Sequence, residues 1–346
     1  MNNRNHRWQL HEVVRETKDT ISIYFNTSGQ DFDYQSGQFI NISRPINGEV
    51  VSRSYSLSSS PDEKYPSITV KRVAGGTMSN YLVDNASAIG EWEIEGPFGN
   101  FTLAEATEVD KHCFLGGGSG ITPLFSMMKF LKGKAGDLHL LYANRNEEDI
   151  IFRTTIEKLI NEGTAKVFHS LTGEISADAF GEDLFKGRLN KLIVKKIIKQ
   201  WFENPLAVNY YICGPEKLMA VYKEALLSLG VPETQIFSEN FSLESSKGDE
   251  LILPQEPHEV LIHAYGSTLL IDVKAGQTIL ESAIEHGIPI KYSCKNGTCG
   301  SCWGTYSEGT VHMVKNYALT KEEVDSKYIL LCQTYPMDEA VTVHVG

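Results

Sequence analysis

Hydrophobic and polar positions change their rhythm twice along this chain. Up to residue 106 the apolar positions come in short alternating runs: "TISIYF", "GQFINIS", "SRSYSLS", "SITVKRV" and "EWEIEGP", each bounded by Gly, Pro, Asp or Ser. Alternation puts successive side chains on opposite faces of a strand, and short strands at this spacing predict an antiparallel β-barrel. From residue 107 the rhythm switches. "HCFLG", "DLHLLYANR" and "NYYICG" read as buried strands, while "ITPLFSMMKFLKG", "IFRTTIEKLINEG" and "PEKLMAVYKEALLSLG" repeat at helical spacing. Strands alternating with helices predict an α/β domain on a parallel sheet, through residue 243. Residues 244–257, inside "SLESSKGDELILPQEPHE", are polar, carry two prolines and show no period, so they read as a linker. Beyond them "EVLIHAYGSTLLIDVKAG" reads as a hairpin and "TILESAIEHG" as a helix. "GTYSEGTVHMV" with "AVTVHVG" reads as a closing strand pair, so residues 258–346 form a small α+β domain. No internal repeat interrupts this order.

A length of 346 residues accommodates the three domains, at roughly 100–200 residues each. Hydrophobic content of 41% and charged content of 22% fit a globular protein. No apolar run reaches the ~18 residues of a membrane span. The N-terminal "MNNRNHRWQLHEV" lacks the apolar core of a secretory signal. A cytoplasmic protein with no membrane association is therefore expected. There, structural disulfides are rare and clustered cysteines bind metal or do redox chemistry. The net charge of −12 excludes a nucleic-acid partner, which needs a basic face. It suits docking on a basic protein as well as plain solubility.

The cysteines sharpen the picture. "CKNGTCGSC" holds Cys294, Cys299 and Cys302, and Cys332 follows within "YILLCQTYP". A zinc ribbon shows two short pairs; one dense triple and one distant single is the plant-type [2Fe–2S] spacing. Gly297 and Gly300 permit turns that aim amides at the sulfurs, and Thr298 and Ser301 add short donors. Zinc and a disulfide are the weaker alternatives. Cys113, in an apolar strand, reads as inert core. The ten histidines offer no ligand pair at helical spacing. His112, His139 and His169 fall in or beside strands and read as core or surface.

A one-electron cluster needs a donor, and two loops are candidates. "FLGGGSGITPLFSMM" follows a strand and opens a helix: Gly116, Gly117, Gly118 and Gly120 let backbone approach a pyrophosphate, with Thr122 as the expected cap and Pro123 at the first helical position. It is not the strict G-x-G-x-x-G fingerprint, and a ligand-free turn is the bland alternative. "YICGPEKLM" repeats the strand–turn–helix geometry, so the two loops are expected to flank one nicotinamide site. In the barrel, "SRSYSLS" puts Arg53 and Tyr55 on one strand face, suited to a phosphate and an aromatic ring, and Ser54 and Ser56 on the other. "VKRVAGGTMSNYLVD" offers a second phosphate-sized helix start near Ser79.

"RSYS", "GGTMS", "GGGSGITP", "CGP" and "ENF", in this order, resemble the ferredoxin–NADP reductase superfamily, and "YSCKNGTCGSCWG…YILLCQTYP" resembles a fused plant-type ferredoxin of the β-grasp fold. The order of domains resembles the phthalate dioxygenase reductase-like group. Within it, "YANRNEEDIIF" is most like the reductase subunits of phenylacetyl-CoA epoxidases. The resemblance covers nearly the whole chain. It implies FAD, a [2Fe–2S] cluster and NADPH, with NADH as the other possible donor. It implies that Arg53 binds flavin phosphate, that Ser54 is among the cofactor contacts, that Tyr55 stacks on the flavin and that Ser56 lies near its reactive nitrogen. Val70 and Lys71 would line the flavin, and Gly76, Thr77, Met78 and Ser79 would hold its phosphates. Gly116 to Thr122 would hold the dinucleotide, with Cys213, Gly214 and Pro215 beside the nicotinamide, and Glu239 and Phe241 closing over the flavin. Cys294, Cys299, Cys302 and Cys332 would ligate the cluster. Asn144 and Arg145 follow the second strand, where Arg145 suits a 2′-phosphate. The second phosphate-binding arginine of relatives is Leu171 here, which weakens the NADPH preference.

The expected function is transfer of electrons from NAD(P)H through FAD and [2Fe–2S] to an oxygenase component, first of all phenylacetyl-CoA 1,2-epoxidase. Other acceptors are a steroid hydroxylase, a desaturase or a hybrid-cluster protein. A redox sensor is the non-enzyme alternative, although a sensor needs no two-electron donor. The linker is expected to let the last domain swing between flavin and acceptor.

Overall fold

The computed structural model describes residues 5–104, 111–134, 138–173, 183–241 and 253–345. The first sheet is built from β1 (Asn5–Thr17), β2 (Thr20–Asn26), β3 (Phe39–Ile46), β4 (Glu49–Ser56), β5 (Ser67–Lys71) and β6 (Glu91–Phe98), with α1 (Thr77–Asn85) between the last two. Its strand order is β4-β3-β6-β1-β2-β5. β2 pairs antiparallel with both β1 and β5. β1 alternates buried and exposed positions at its start, with Trp8 wholly buried.

The second sheet alternates with helices except between β9 and β10: β7 (His112–Gly117), α2 (Ile121–Leu131), β8 (Leu138–Asn144), α3 (Arg153–Asn161), β9 (Ala165–Leu171), β10 (Leu184–Lys186), α4 (Lys191–Trp201), β11 (Asn209–Cys213), α5 (Glu216–Leu227) and β12 (Ile236–Glu239). The order is β10-β9-β8-β7-β11-β12, every pairing parallel. The sheet is buried on both faces, as parallel sheets must be. Phe114, Leu140 and Tyr211 pack with Leu124, Met127 and Ile156 on one side. Cys113, Leu115, Tyr210 and Ile212 pack with Val194, Ile198 and Tyr222 on the other. Cys113 is fully buried, and burial pushes its thiol well up from the ordinary value, as suits inert core. The order of strands reverses between β7 and β11, so the carboxyl ends of these two strands form a topological switch point.

The C-terminal part holds β13 (His258–Ala264), β14 (Ser267–Val273), α6 (Ile279–Glu285), β15 (Trp303–Glu308), β16 (Val311–Met313), α7 (Lys321–Asp325), β17 (Tyr328–Leu330), β18 (Thr334–Pro336) and β19 (Val341–Val345). A five-stranded sheet runs β14-β13-β19-β15-β17, and β16 pairs with β18 in a separate ribbon. The expected hairpin is β13–β14, turned by Tyr265 and Gly266, both at positive φ. The expected closing pair is β15 with β19, but "GTYSEGTVHMV" breaks after Glu308 and its second half joins β18.

The chain forms two compact units: Met1–Phe39, Tyr55–Ile94 and Phe101–Ser242 make one, and Ile40–Ser54, Glu95–Asn100 and Leu243–Gly346 the other. Two segments of the expected first block, Ile40–Ser54 and Glu95–Asn100, thus cluster with the C-terminal segment. Residues 244–252 of the expected linker, and the expected boundary at 106/107, lie outside the described residues. No described helix is long and apolar enough to cross a membrane.

Candidate functional site

Strand register brings the nucleotide-side candidates together. β7, β11 and β12 align Gly116 with Cys213 and Cys213 with Glu239, at the carboxyl ends of three neighbouring strands. The two expected loops meet here. A Cβ on Gly120 would stand 2.3 Å from the Cys213 carbonyl oxygen, and one on Gly214 would stand 3.0 Å from the Gly117 nitrogen. Only glycine permits that approach. Leu218 and Pro215 close equally tightly on Gly117. Gly118, at φ +53, faces open space, with its carbonyl held by the Tyr142 hydroxyl at 2.9 Å.

Helix α2 departs from the expected cap. Its N-cap is Gly120, with no side-chain cap, and Pro123 is the third helical residue. Thr122 lies inside the helix and donates its hydroxyl back to the Ser119 carbonyl at 3.0 Å. The short 3-10 turn over Gly118–Gly120 moves the helix start forward by two residues. First-turn amides left without a side-chain cap are what an anion needs, so the cradle fits a dinucleotide phosphate.

The three residues assigned to chemistry gather at one place. Ser56 is buried and its hydroxyl donates to the Glu239 carboxylate. Glu239 as a residue is partly exposed, but its Oε2 is buried and has no hydrogen-bond partner. Burial raises its pKa from the ordinary carboxylate range to about 8, against the lowering effect of Ser56. Cys213 is fully buried, and burial together with the Glu239 charge pushes its thiol well up. It is a neutral, compact wall and not a nucleophile. An orphaned buried carboxyl oxygen beside a glycine cradle fits a polar ligand group.

The remaining candidates are distributed as follows. Asn144 ends β8 and is buried; Arg145 is exposed, and its carbonyl accepts from the Thr172 and Gly173 amides. Leu171 is fully buried opposite Asn144, so no cation reaches solvent from that position. Phe241 is 47% exposed. Helix α1 starts at Thr77, not near Ser79. Gly76 is its cap without a side-chain bond, and Met78 and Ser79 are buried while Thr77 is exposed. Ser79 Oγ accepts from the Val73 amide at 3.1 Å and would clash with a Cβ on Gly76. Val70 is buried at the end of β5, and Lys71 Nζ sits 3.9 Å from Asp19 Oδ2. On β4, Arg53 is exposed and donates to the Ser52 carbonyl at 2.7 Å, Tyr55 is half-buried, and Ser54 donates to Asn41 Oδ1 at 2.7 Å.

The four loop cysteines converge as two pairs. Cys294 and Cys299 are in hydrogen-bond contact, as are Cys302 and Cys332. Among the described residues no three His, Cys, Asp or Glu surround one metal position. Two pairs, each fit for one iron, suit a binuclear cluster and not a single tetrahedral zinc. Gly297 and Gly300 take positive φ, as the turns require. Backbone amides of Asn296 and Cys299 point at Cys294 Sγ, at 3.5 and 3.3 Å. A cage of thiols met by amide donors fits a negatively charged [2Fe–2S] cluster. Sequence reasoning missed Asn41, which reaches this loop from β3. Its signal was a lone amide among apolar residues in "GQFINIS".

Comparison with known proteins agrees with this layout. An oxidoreductase FAD-binding domain matches residues 7–103, an oxidoreductase NAD-binding domain 114–224, and a 2Fe-2S iron-sulfur cluster binding domain 262–337. The chain is 31% identical to the glycine betaine monooxygenase reductase subunit of Pseudomonas aeruginosa (strain UCBPP-PA14), over 95% of this chain and 93% of that protein. It is 32% identical to the ferredoxin reductase component of the 3-ketosteroid-9-alpha-monooxygenase of Rhodococcus rhodochrous, over 96% and 94%. Phthalate dioxygenase reductase has the same fold, with a TM-score of 0.58 at 21% identity over 99% of this chain and 98% of that one. The protein is thus an oxidoreductase with FAD-, NAD(P)H- and [2Fe–2S]-binding parts. It belongs to the family of FAD- and [2Fe–2S]-containing reductases that includes the reductase components of the glycine betaine and 3-ketosteroid monooxygenases.

Proposed function

We propose that this reductase takes its electrons from NADPH and delivers them to phenylacetyl-CoA 1,2-epoxidase. The observation that carries the acceptor is the stretch "YANRNEEDIIF", whose resemblance to that subfamily runs from β8 to the cap of α3. The donor preference rests on Arg145, an exposed cation just past the β8 carboxyl end. A second reading follows from the relatives, which are named as reductases of glycine betaine and 3-ketosteroid monooxygenases: the acceptor is a monooxygenase of that kind.

Bound flavin supplies the exchange between a two-electron hydride donor and a one-electron cluster, so the protein needs no general acid or base for the hydride itself. The residues hold and orient. Gly116 to Gly120 and the α2 amides bind the dinucleotide phosphates. Gly214, Pro215 and Cys213 shape the wall beside the nicotinamide. Arg53 and the Gly76–Ser79 turn take the flavin phosphates, Tyr55 stacks on the ring, and Val70, Lys71 and Phe241 line it. Ser56 and Glu239, joined by their hydrogen bond, hold a proton near the reacting ring edge and exclude water from it. Cys294, Cys299, Cys302 and Cys332 hold the cluster. The working boundaries are 1–106, 107–243 and 258–346, and the working compartment is the cytoplasm.

The test is an anaerobic titration with NADPH and then NADH, followed by absorbance and EPR, and then reconstitution with candidate oxygenases. NADPH is expected to bleach the flavin at lower excess, with a rhombic cluster signal appearing. Product formation by the epoxidase, and none by a glycine betaine or ketosteroid oxygenase, supports the acceptor. The reverse pattern replaces it with the second reading.

A further inference from the structure

Asn41 lies in the middle of β3 and is 1% exposed, between the buried Ile40 and Ile42. A buried carboxamide must find protein partners for its donors and its acceptor. Asn41 finds them in one direction. Its Oδ1 accepts from Ser54 Oγ at 2.7 Å, and its Nδ2 donates to the Cys299 carbonyl at 2.7 Å and to Ser301 Oγ at 3.2 Å. A carbonyl oxygen only accepts, so the Cys299 contact fixes which end of the amide is nitrogen. Ser301, its oxygen engaged by Asn41, turns its hydroxyl proton to the Cys299 sulfur. The result is one directed chain: Ser54 to Asn41, Asn41 to Ser301, Ser301 to the thiolate. Links polarised in one sense strengthen the last of them.

The loop around this chain is held firmly. Gly300 packs so closely on Phe98 that a Cβ would stand 2.6 Å from the ring. Ser293 Oγ donates to the Ser52 carbonyl at 2.9 Å, and the Gly99 amide donates to the Ala318 carbonyl at 2.9 Å. Ser52 and Ser54 sit on the strand that also carries Arg53 and Tyr55.

We propose that Asn41 is a positioning residue for the iron–sulfur centre: it holds Ser301 as a hydrogen-bond donor to Cys299 and so sets the cluster's reduction potential from β3, the neighbour of the strand that carries Arg53 and Tyr55. The inference rests on the four cysteines being a [2Fe–2S] ligand set. The physical ground is charge. The reduced cluster carries one more negative charge than the oxidised one, so a donor aimed at a ligand sulfur stabilises the reduced form more and raises the potential.

The experiment is an EPR-monitored redox titration of the holoprotein and of Asn41→Ala, Ser301→Ala and the double variant. Asn41→Ala is expected to disfavour the reduced cluster about tenfold, a fall of 59 mV for a one-electron couple, with the flavin potential unmoved. Ser301→Ala falls in the same direction, and the double variant falls no further than Ser301→Ala alone. An unchanged potential in a fully loaded Asn41→Ala overturns the proposal, and so do shifts that add in the double variant. Where Asn41→Ala loses its cluster, Ser54→Ala removes only the first link. A smaller fall there supports the chain, and no fall overturns it. Absence of any rhombic signal in the unaltered protein sinks the cluster reading itself, a separate failure.

Discussion

Glu239 holds a carboxyl that the fold keeps protonated over much of the neutral range. Burial raises its pKa to about 8, and the Ser56 hydroxyl only partly offsets this. The sign of the consequence follows from linkage. In the unfolded chain the group ionises near the ordinary value, whereas in the fold it stays neutral, so rising pH favours the unfolded state until the folded carboxyl ionises too. Stability from the neutral form is therefore complete below the unfolded pKa and is lost as pH rises to about 8. Glu239→Gln keeps the shape and removes the titration. Denaturant midpoints from pH 4.5 to about pH 9, spanning the ordinary and the raised pKa, should show the Gln variant gaining on the parent with rising pH and levelling off above about 8. A constant difference would mean an ordinary, ionised carboxylate. At this scale the four cysteines were legible because ligand spacing is local. Asn41 was not, since its cluster-loop partner lies 258 residues away and nothing in β3 alone announces it. Thr122 shows the same limit: its residue type suits a cap, but the Gly118–Gly120 turn had already started the helix.

Elements were legible where their period was clean and blurred where tertiary contacts chose the ends. The strands β7, β8 and β11 and the helices α2, α3 and α5 follow the apolar pattern closely, because a parallel sheet is buried on both faces and its strands read as continuous runs, whereas β9, β10 and α4 were not read from it. β16 leaves "GTYSEGTVHMV" for a different ribbon, since Gly309 turns the chain at φ +78 and the pairing with β18 is decided far along the sequence. Two predictions belong here. The loops after β7 and β11 meet through glycine, so Gly120→Ala must push backbone against backbone. We expect a stability loss of about 1–3 kcal/mol from overpacking and a raised Kd for the nicotinamide nucleotide with flavin content unchanged. Gly163→Asn, at φ +69 with nothing within 4 Å and outside the cradle, serves as the control. Equal nucleotide Kd in both variants would argue against contact between the loops as the determinant. Helix α6 opens on a full capping box, Thr278 with Glu281. Thr278→Ala should cost about 1 kcal/mol, seen as a lower thermal midpoint. The EPR signal should stay intact, because the cap touches none of the four cysteines.

Over the whole molecule the candidates for two-electron and for one-electron work fall largely in different units, and of the flavin candidates only Arg53 and Ser54 share the unit of the cluster cysteines. The nicotinamide and flavin candidates Ser56, Cys213 and Glu239 meet in one compact unit, and all four cluster cysteines lie in the other. The order of domains was legible because each carries its own local motif, but the terminal acceptor is not written in any of them. The relatives share this architecture while serving oxygenases for glycine betaine and a steroid. The division can be cut at one atom. Cys332 is the partner of Cys302 and the one proposed ligand outside the dense triple. Cys332→Ser removes a thiolate from one iron of the pair and leaves every flavin and nucleotide candidate in place. The protein should keep its flavin, and NADPH should still bleach it at the parental rate, because hydride delivery uses none of the cluster ligands. The rhombic signal should disappear or change its g-values, and coupled turnover of an oxygenase should fall to background. Stopped-flow absorbance, EPR and product assay separate these steps. Undiminished oxygenase turnover from protein that has lost its cluster would show electrons leaving the flavin directly, and the cysteine loop would then have no part in the path.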